Sequence, residues 1–500
     1  MESYMQRLTN RLLSKFYCGR QLFRRYGARV LMCWHVHCGL LLPFILTGCL
    51  LNNTYHKPEV EVANQWTVAD RNISNNDEKN IPYLAWWRGF NDPTLNELIE
   101  KGLQYNNSLN MSRNHIKAAE GELKKIRYQW IPTVDVMLGY SRNPATGFPG
   151  VLGVIIPSYI INIIHQIKEQ KIARYNLEQI KAEDDALKLT IISEITASYF
   201  TYQAEIERKR LLEILAHDLT QLADISNKVY QGGLTSDIEQ QELFSQADII
   251  RGEQEVIEKN IIISRNAIRY LINLNPGDIK TVVKFSDLNN KHLIPGSLPL
   301  TVLENRPDLQ IAENRLRASN YGIGLAASNL LPTITLDLIG GKAAGDSRYI
   351  WPHQNVYFND QLIRSPILKA SVLGEIAAAK GLDKVSYFNY IDTLQKALRD
   401  TTNALSANER FTNKLKRTQE AQKRLAKSYE LNRRLYLRGI QNYIDMLRTK
   451  IALDRININL NEDKLIQLLT TVSLYQELAG GYKADEPLPE QQKVALAVTK

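Results

Sequence analysis

The sequence predicts a mainly α-helical protein with a small β part. Long antiparallel helical hairpins carry four short strands. Three observations point there. Residues 164–230 contain neither proline nor glycine. Apolar positions within them (Leu177, Ile180, Leu187, Ile191, Ile195, Tyr199, Tyr202, Ile206) step mostly by three or four, a helix seam close to a coiled-coil period. Two helical stretches end at Pro132 and Pro332 and are followed by period-2 alternation. Finally, the chain resembles itself at an offset of 200: Asn107-Ser108-Leu109 matches Pro307-Asp308-Leu309, and Ile131-Pro132-Thr133 matches Leu331-Pro332-Thr333.

The elements follow in order. A helix of about 25 residues precedes each proline stop. After the first stop, Val134, Val136, Leu138 and Tyr140 form one apolar strand face. After the second, Ile334, Leu336 and Leu338 alternate with Thr333, Thr335 and Asp337. Turn-rich loops follow (143–150 and 340–346), and return strands are expected around 151–162 and 354–363 despite Pro157 inside the first. Helices then run over 164–230 and 366–437, the second weakened early by Gly374 and Gly381. At 1.5 Å per residue, about 65 residues give about 100 Å of helix. Tyr230-Gln231-Gly232-Gly233-Leu234 and Tyr436-Leu437-Arg438-Gly439-Ile440 align at an offset of 206, each a tight reversal into a further helix. Those helices end near Leu274 and Leu478. The organisation is therefore a leader (1–48), an extended segment (49–91), two structural repeats (92–290 and 291–482) and a loose tail (483–500).

Charge and cysteine are both concentrated at the start. The net charge is +9 over 500 residues, but residues 1–48 hold seven Lys or Arg against one acid, leaving +3 for the rest. A basic nucleic-acid-binding body is excluded on that count. All four cysteines (Cys18, Cys33, Cys38, Cys49) lie within the first 49 residues, so the body holds no disulfide, thiolate metal site or catalytic cysteine. The basic residues Arg7 to Arg29, the apolar stretch Val30–Thr47 and the ending Leu46-Thr47-Gly48-Cys49 describe a secretory signal that resembles a bacterial lipobox. In such signals the cysteine is lipidated, so Cys49 is expected to carry a covalent lipid anchor. Leu50 rather than Asp follows it, which by the same resemblance favours the outer membrane. No body segment offers about 18 uninterrupted apolar residues, so any membrane crossing must use strands. Four strands cannot close a barrel by themselves, whereas three chains would supply twelve.

Enzyme chemistry finds no support. Gly322-Ile323-Gly324-Leu325-Ala326-Ala327 matches a dinucleotide fingerprint, but the preceding Ile311–Asn320 is helical where a strand is needed. Glycine there is expected to permit close helix packing. The body histidines (His56, His115, His165, His217, His292, His353) lack ligand spacing. Glu183-Asp184-Asp185 reads as the wet face of a helix. No cofactor other than the lipid on Cys49 is expected.

Several residues carry a family resemblance: Cys49, the segment Trp86-Trp87-Arg88-Gly89-Phe90-Asn91-Asp92-Pro93-Thr94-Leu95, and Arg306-Pro307-Asp308-Leu309 followed by Ala312-Glu313, Leu316, Gly324-Leu325-Ala326 and Leu331-Pro332. On these the chain resembles the outer-membrane efflux proteins, the TolC-like trimeric channels, in their lipoprotein branch. The resemblance covers about residues 49–482. It implies a homotrimer whose twelve strands form a barrel in the outer membrane of a Gram-negative bacterium and whose helices form a periplasmic tunnel. A periplasmic adaptor and an inner-membrane pump are the implied partners, besides outer-membrane lipid; nucleic acid is not one. The implied function is passive, gated export of small molecules. Gly233, Leu234, Thr235, Gly439, Ile440 and Gln441 would form the adaptor-contacting tip. Glu239, Ile444, Asp445 and Arg448 would form a periplasmic gate, the bland alternative for each being a solvated surface residue. Some members of the resembled family carry an acid where Arg448 stands, and they usually carry a glycine-bearing strand-to-helix junction where Asn359-Asp360 stands. An export channel for protein or polysaccharide, and a non-conducting coiled-coil lipoprotein tether, are the competing functions.

Overall fold

The computed structural model describes residues 55, 57–58, 78–141, 150–234, 236–288, 305–343, 354–364, 366 and 369–486. The leader, Cys49 and Thr235 lie outside them. Two short 3-10 turns, Glu78–Tyr83 and Trp86–Phe90, lead into α1 (Pro93–Tyr105) and α2 (Asn107–Tyr128). Strands β1 (Thr133–Ser141) and β2 (Gly150–Ile161) precede the long α3 (Ile163–Gln231) and α4 (Ile238–Leu271). The order then recurs as α5 (Pro307–Ser328), β3 (Thr333–Ala343), β4 (Gln354–Arg364), α6 (Ser371–Leu437) and α7 (Tyr443–Glu477). Gly374 and Gly381 do not interrupt α6. The backbone folds into two compact units. The first contains 126–172 and 319–384, and the second 57–125, 173–318 and 385–500.

The first unit is built on one antiparallel sheet in the order β1-β2-β3-β4. Cross-strand partners share a face. Val136 stands opposite Ile155, and Tyr159 opposite Leu336, which places the apolar sets of the first three strands on one side. That side is bare: Val134, Val136, Leu138 and Tyr140 are all more than half exposed, Leu138 at 77%. The other face carries Asp135, Ser158, Thr335, Asp337 and Asp360, with the Ser158 hydroxyl donating to Asp337 Oδ1 at 2.5 Å. Pro157 is accommodated inside β2 because the ladder to β3 holds Ile155 opposite Gly340 and Ser158 opposite Asp337 but makes no pair at Ile156 and Pro157. The missing N–H is thus absorbed as a local gap in register-true pairing. β4 continues through Asn359-Asp360 to Arg364, within a residue of the expected 354–363 span. It also places Asn359 and Gln361 on the otherwise apolar face, opposite Leu338 and Leu336.

At the entry to α3, Asn162 acts as the N-cap. Its Oδ1 accepts from the His165 N–H at 3.2 Å, and its Nδ2 donates to the Ser328 carbonyl at 3.4 Å. The glycine run in α5 sits inside a helix and not after a strand, which removes any nucleotide-binding geometry. A Cβ on Gly324 would meet only the flexible end of the Lys168 side chain, at 3.0 Å, and Gly322 faces open space, so the expected close packing is slight at the first position and missing at the second.

In the second unit α3 supplies Ile191, Ile192, Ile195, Tyr199 and Phe200 to a core that also takes Trp86, Phe90, Leu95, Ile99, Val472 and Tyr475. Trp86 stacks on Tyr475 with centroids 4.9 Å apart and donates through Nε1 to the Gly480 carbonyl at 3.2 Å. Asp92 caps α1 by accepting from the Thr94 and Leu95 N–H groups, and the Tyr199 hydroxyl donates to its Oδ2 at 2.6 Å. Burial, reinforced by Asp92, holds that hydroxyl protonated far above the usual tyrosine range. Arg306 donates to both Asp308 oxygens and, through Nη1, to the Glu477 carbonyl and carboxylate, each at 2.7 Å. Trp86, Asp92 and Arg306, three of the residues that carry the resemblance, therefore form a clasp between the start of the unit and the end of α7. Order continues past Tyr482: the Lys483 N–H donates to the Pro82 carbonyl at 2.9 Å and Ala484 packs on the core. One acidic residue departs from expectation. Asp184 is buried, not on a wet face, and Lys188 bridges it and Asp185 at 3.0 Å each.

Candidate functional site

The candidate site is the pair of helix reversals and the charged residues just beyond them, all in the second unit. Each reversal is a Schellman ending. Gly233 adopts φ +71° and Gly439 φ +75°. The next N–H reaches back across the turn, from Leu234 to the Val229 carbonyl at 3.2 Å and from Ile440 to the Leu435 carbonyl at 3.0 Å. Left-handed backbone selects glycine because any Cβ there crowds the following carbonyl. The aligned glycines of the sequence thus have one shared cause. The apolar residue after each glycine usually folds back onto its helix. Here Leu234 is 81% exposed and Ile440 69%, so each turn presents an apolar knob.

The structure brings three of the four expected gate residues together. Asn442 caps α7, accepting from the Asp445 N–H at 2.7 Å. Asp445 lies in the first turn of α7, where a helix favours negative charge. Its Oδ2 accepts from Asn442 Nδ2 at 2.8 Å and from Gln441 Nε2 at 2.9 Å. Arg448 lies 3.9 Å from Asp445 and forms a hydrogen-bonded ion pair with Glu239 in the first turn of α4. Ile444 behaves differently: it packs with Tyr443 and Phe244 against the apolar cluster of Leu219, Leu243, Leu447 and Ile451. Gln441, expected at the tip, is a partner of Asp445.

Two features were not anticipated. Arg455 Nη2 donates to Gln246 Oε1 at 2.7 Å, one heptad beyond the Arg448–Glu239 pair. Both links join residues 209 apart, so α4 and α7 run parallel, with an ion pair as the first rung and a guanidinium-to-amide hydrogen bond as the second. The offset is visible in the sequence only once parallel pairing is known. The second feature is a buried triad of Asp218, Lys450 and Asp454. Among the described residues no group of His, Cys, Asp and Glu is arranged to hold a metal, and no helix is long and apolar enough to cross a membrane.

Comparison with known proteins agrees with this architecture. The outer membrane efflux protein family profile matches residues 298–480, the stretch containing Arg306 and the second reversal. Over that stretch the chain is similar to the outer membrane efflux proteins. It is 24% identical over 470 residues to the probable efflux pump outer membrane protein TtgC of Pseudomonas putida, an alignment covering 90% of this chain and 96% of TtgC. It is likewise 24% identical to outer membrane protein OprJ of Pseudomonas aeruginosa, over 89% of this chain and 95% of OprJ. The open-state outer membrane channel MtrE of Neisseria gonorrhoeae superposes with a TM-score of 0.73 at 20% identity, covering 87% of this chain and 99% of MtrE. The Campylobacter jejuni CmeC outer membrane channel gives 0.70 at 19% identity, covering 88% and 97%.

Proposed function

We propose that this chain is the outer-membrane channel of a tripartite efflux system, a passive gated conduit that exports small molecules from a Gram-negative cell. The observation that carries the reading is the open sheet. One face exposes Val134, Val136, Leu138 and Tyr140, and among the described residues the outer edges of β1 and β4 have no strand beside them. An apolar face suits lipid, but an unpaired edge in lipid costs several kcal/mol for each stranded polar group. Pairing between copies removes both edges, and three copies make a barrel of twelve strands. A homotrimer is the assembly we assign to that closure. The polar face with Asp135, Asp337 and Asp360 then lines water.

In this arrangement α3 and α6, with contours of about 100 Å, form the periplasmic tunnel. The exposed Leu234 and Ile440, beside Gly233, Thr235, Gly439 and Gln441, meet the adaptor, through which the inner-membrane pump is coupled. The Arg448–Glu239 pair and Asp445 act as the gate; three copies of each around one axis discriminate between ions. Acylated Cys49 anchors the chain. No chemistry and no cofactor beyond the lipid is assigned to it. The relatives' printed names, an efflux pump outer membrane protein and outer membrane channels, support the same reading.

Single-channel recording of the purified protein in a planar bilayer tests it. The expected result is a mostly closed, ion-selective pore whose selectivity changes in Asp445→Ala and whose openings become more frequent in Arg448→Ala. Absence of conductance in the wild type and in both variants would overturn it. Cys49→Ala should lose incorporation of labelled palmitate, and retained label would remove the anchor.

A further inference from the structure

The most deeply buried charges near the tip belong to neither turn. Asp218 of α3 is 5% exposed and Asp454 of α7 is 6% exposed. Both accept from one ammonium group: Lys450 Nζ is bonded to Asp218 Oδ2 and, at 3.1 Å, to Asp454 Oδ2. The flanking residues on these helices are apolar, Leu215, Leu219 and Leu222 on α3 and Leu447 and Ile451 on α7. Two carboxylates against one cation leave an uncompensated negative charge in a water-poor seam, an arrangement that binding one proton relieves. Burial pushes the Asp454 carboxyl up to about 6, its hydrogen bond to Asp218 adding to the rise and Lys450 opposing it. Burial also works against the charge on Lys450, but the two carboxylates outweigh it and hold the amine above its usual range.

Among the described residues, the charged groups that face the clamp from the surrounding elements are paired elsewhere or exposed. The charged side chains of α4 at this level, Asp248 and Arg251, pair with each other at 2.8 Å, and Arg251 also reaches Thr220. On α6, antiparallel to α7 across the Asn432–Thr449 bond, Lys427 is exposed and Glu430 is paired with Arg433 and Arg434. On α3 itself, His217 is exposed and bonded to Gln221.

We propose that Asp218, Lys450 and Asp454 form a proton-binding clamp tying α3 to α7 just beyond the gate residues. With the proton bound, the Asp454 carboxyl donates to Asp218 and Lys450 balances the one remaining charge. Without it, the two carboxylates repel across the seam. The folded carboxyl titrates above its unfolded value of 3.8, so the clamp's stabilisation is complete below that value and is lost as pH rises through about 6. The clamp is tight in acid and slack at neutral pH. Only its consequence, a conduit that opens more readily at neutral than at acid pH, rests on the reading as a channel.

Infrared difference spectra of the purified full chain, titrated from about pH 4 to about pH 8, test the clamp itself. The expected result is a protonated-carboxyl band with a midpoint near 6 that is lost in Asp454→Asn. Asp218→Asn should move the midpoint down and Lys450→Met should move it up, which keeps the test decisive if one variant fails to fold. Identical titrations in the wild type and Asp454→Asn would overturn the clamp. In planar bilayers, open probability should rise with pH through the same step, and Asp454→Asn should abolish the step. The same step persisting in that variant would overturn the gating consequence. Silence at every pH would count against the conduit alone, with the infrared band still deciding the clamp.

Discussion

The clasp and the tip, both within the second unit, use similar residues in opposite ways. At the clasp, Trp86, Asp92, Tyr199 and Arg306 are buried and each polar head has a named partner. At the tip, Leu234 and Ile440 stand in the open and the Arg448–Glu239 pair is about half exposed. The clasp residues therefore hold the unit together, while the residues assigned to its work carry little of its stability. A surface pair is worth little because water competes for both partners, whereas breaking a buried one strands a charge.

That contrast can be broken by measurement. Trp86→Ala empties a stacked, hydrogen-bonded core position and is expected to cost about 4 kcal/mol in denaturant unfolding. Arg306→Ala leaves Glu477 and its carbonyl without their donor and should cost about 3 kcal/mol by the same method. Tyr199→Phe removes the short donor to buried Asp92, for about 2 kcal/mol. Gly233→Ala and Gly439→Ala each force a side chain into left-handed backbone with free space around it, for about 1 kcal/mol apiece. Unequal costs there would show that the two reversals are not equivalent. Arg448→Ala should change stability by less than about 1 kcal/mol while altering conductance. A large loss of stability in Arg448→Ala, or a negligible one in Arg306→Ala, would erase the distinction between the two regions.

Much of the fold was legible in the residues. The extent of α3, the proline-stopped strands and the aligned glycine turns are local consequences of period, missing N–H groups and φ, and they appear within a residue or a few of where they were expected. Asn162 as a helix cap was missed, since a cap is recognisable only when the helix start is known, whereas β4 was placed to within a residue although polar Asn359 and Gln361 blur its pattern. Of the candidate site, the glycines and the charged residues were found by position, but their roles as partners were not. Nothing in the spacing shows that Gln441 and Asn442 both bind Asp445, or that Ile444 turns inward to the apolar cluster.

The sequence by itself determined the elements, their order, the alternating faces of the first three strands and the two left-handed helix ends. Each depends on neighbours a few residues away, where sterics and hydrogen bonding act directly. Only the tertiary structure decided that β2 pairs with β3, that Arg306 closes on Glu477, that α4 and α7 lie parallel with rungs 209 residues apart, and that Asp218 shares Lys450 with Asp454. Those partners are chosen by which helix faces meet when apolar seams are buried, and no local period specifies that meeting.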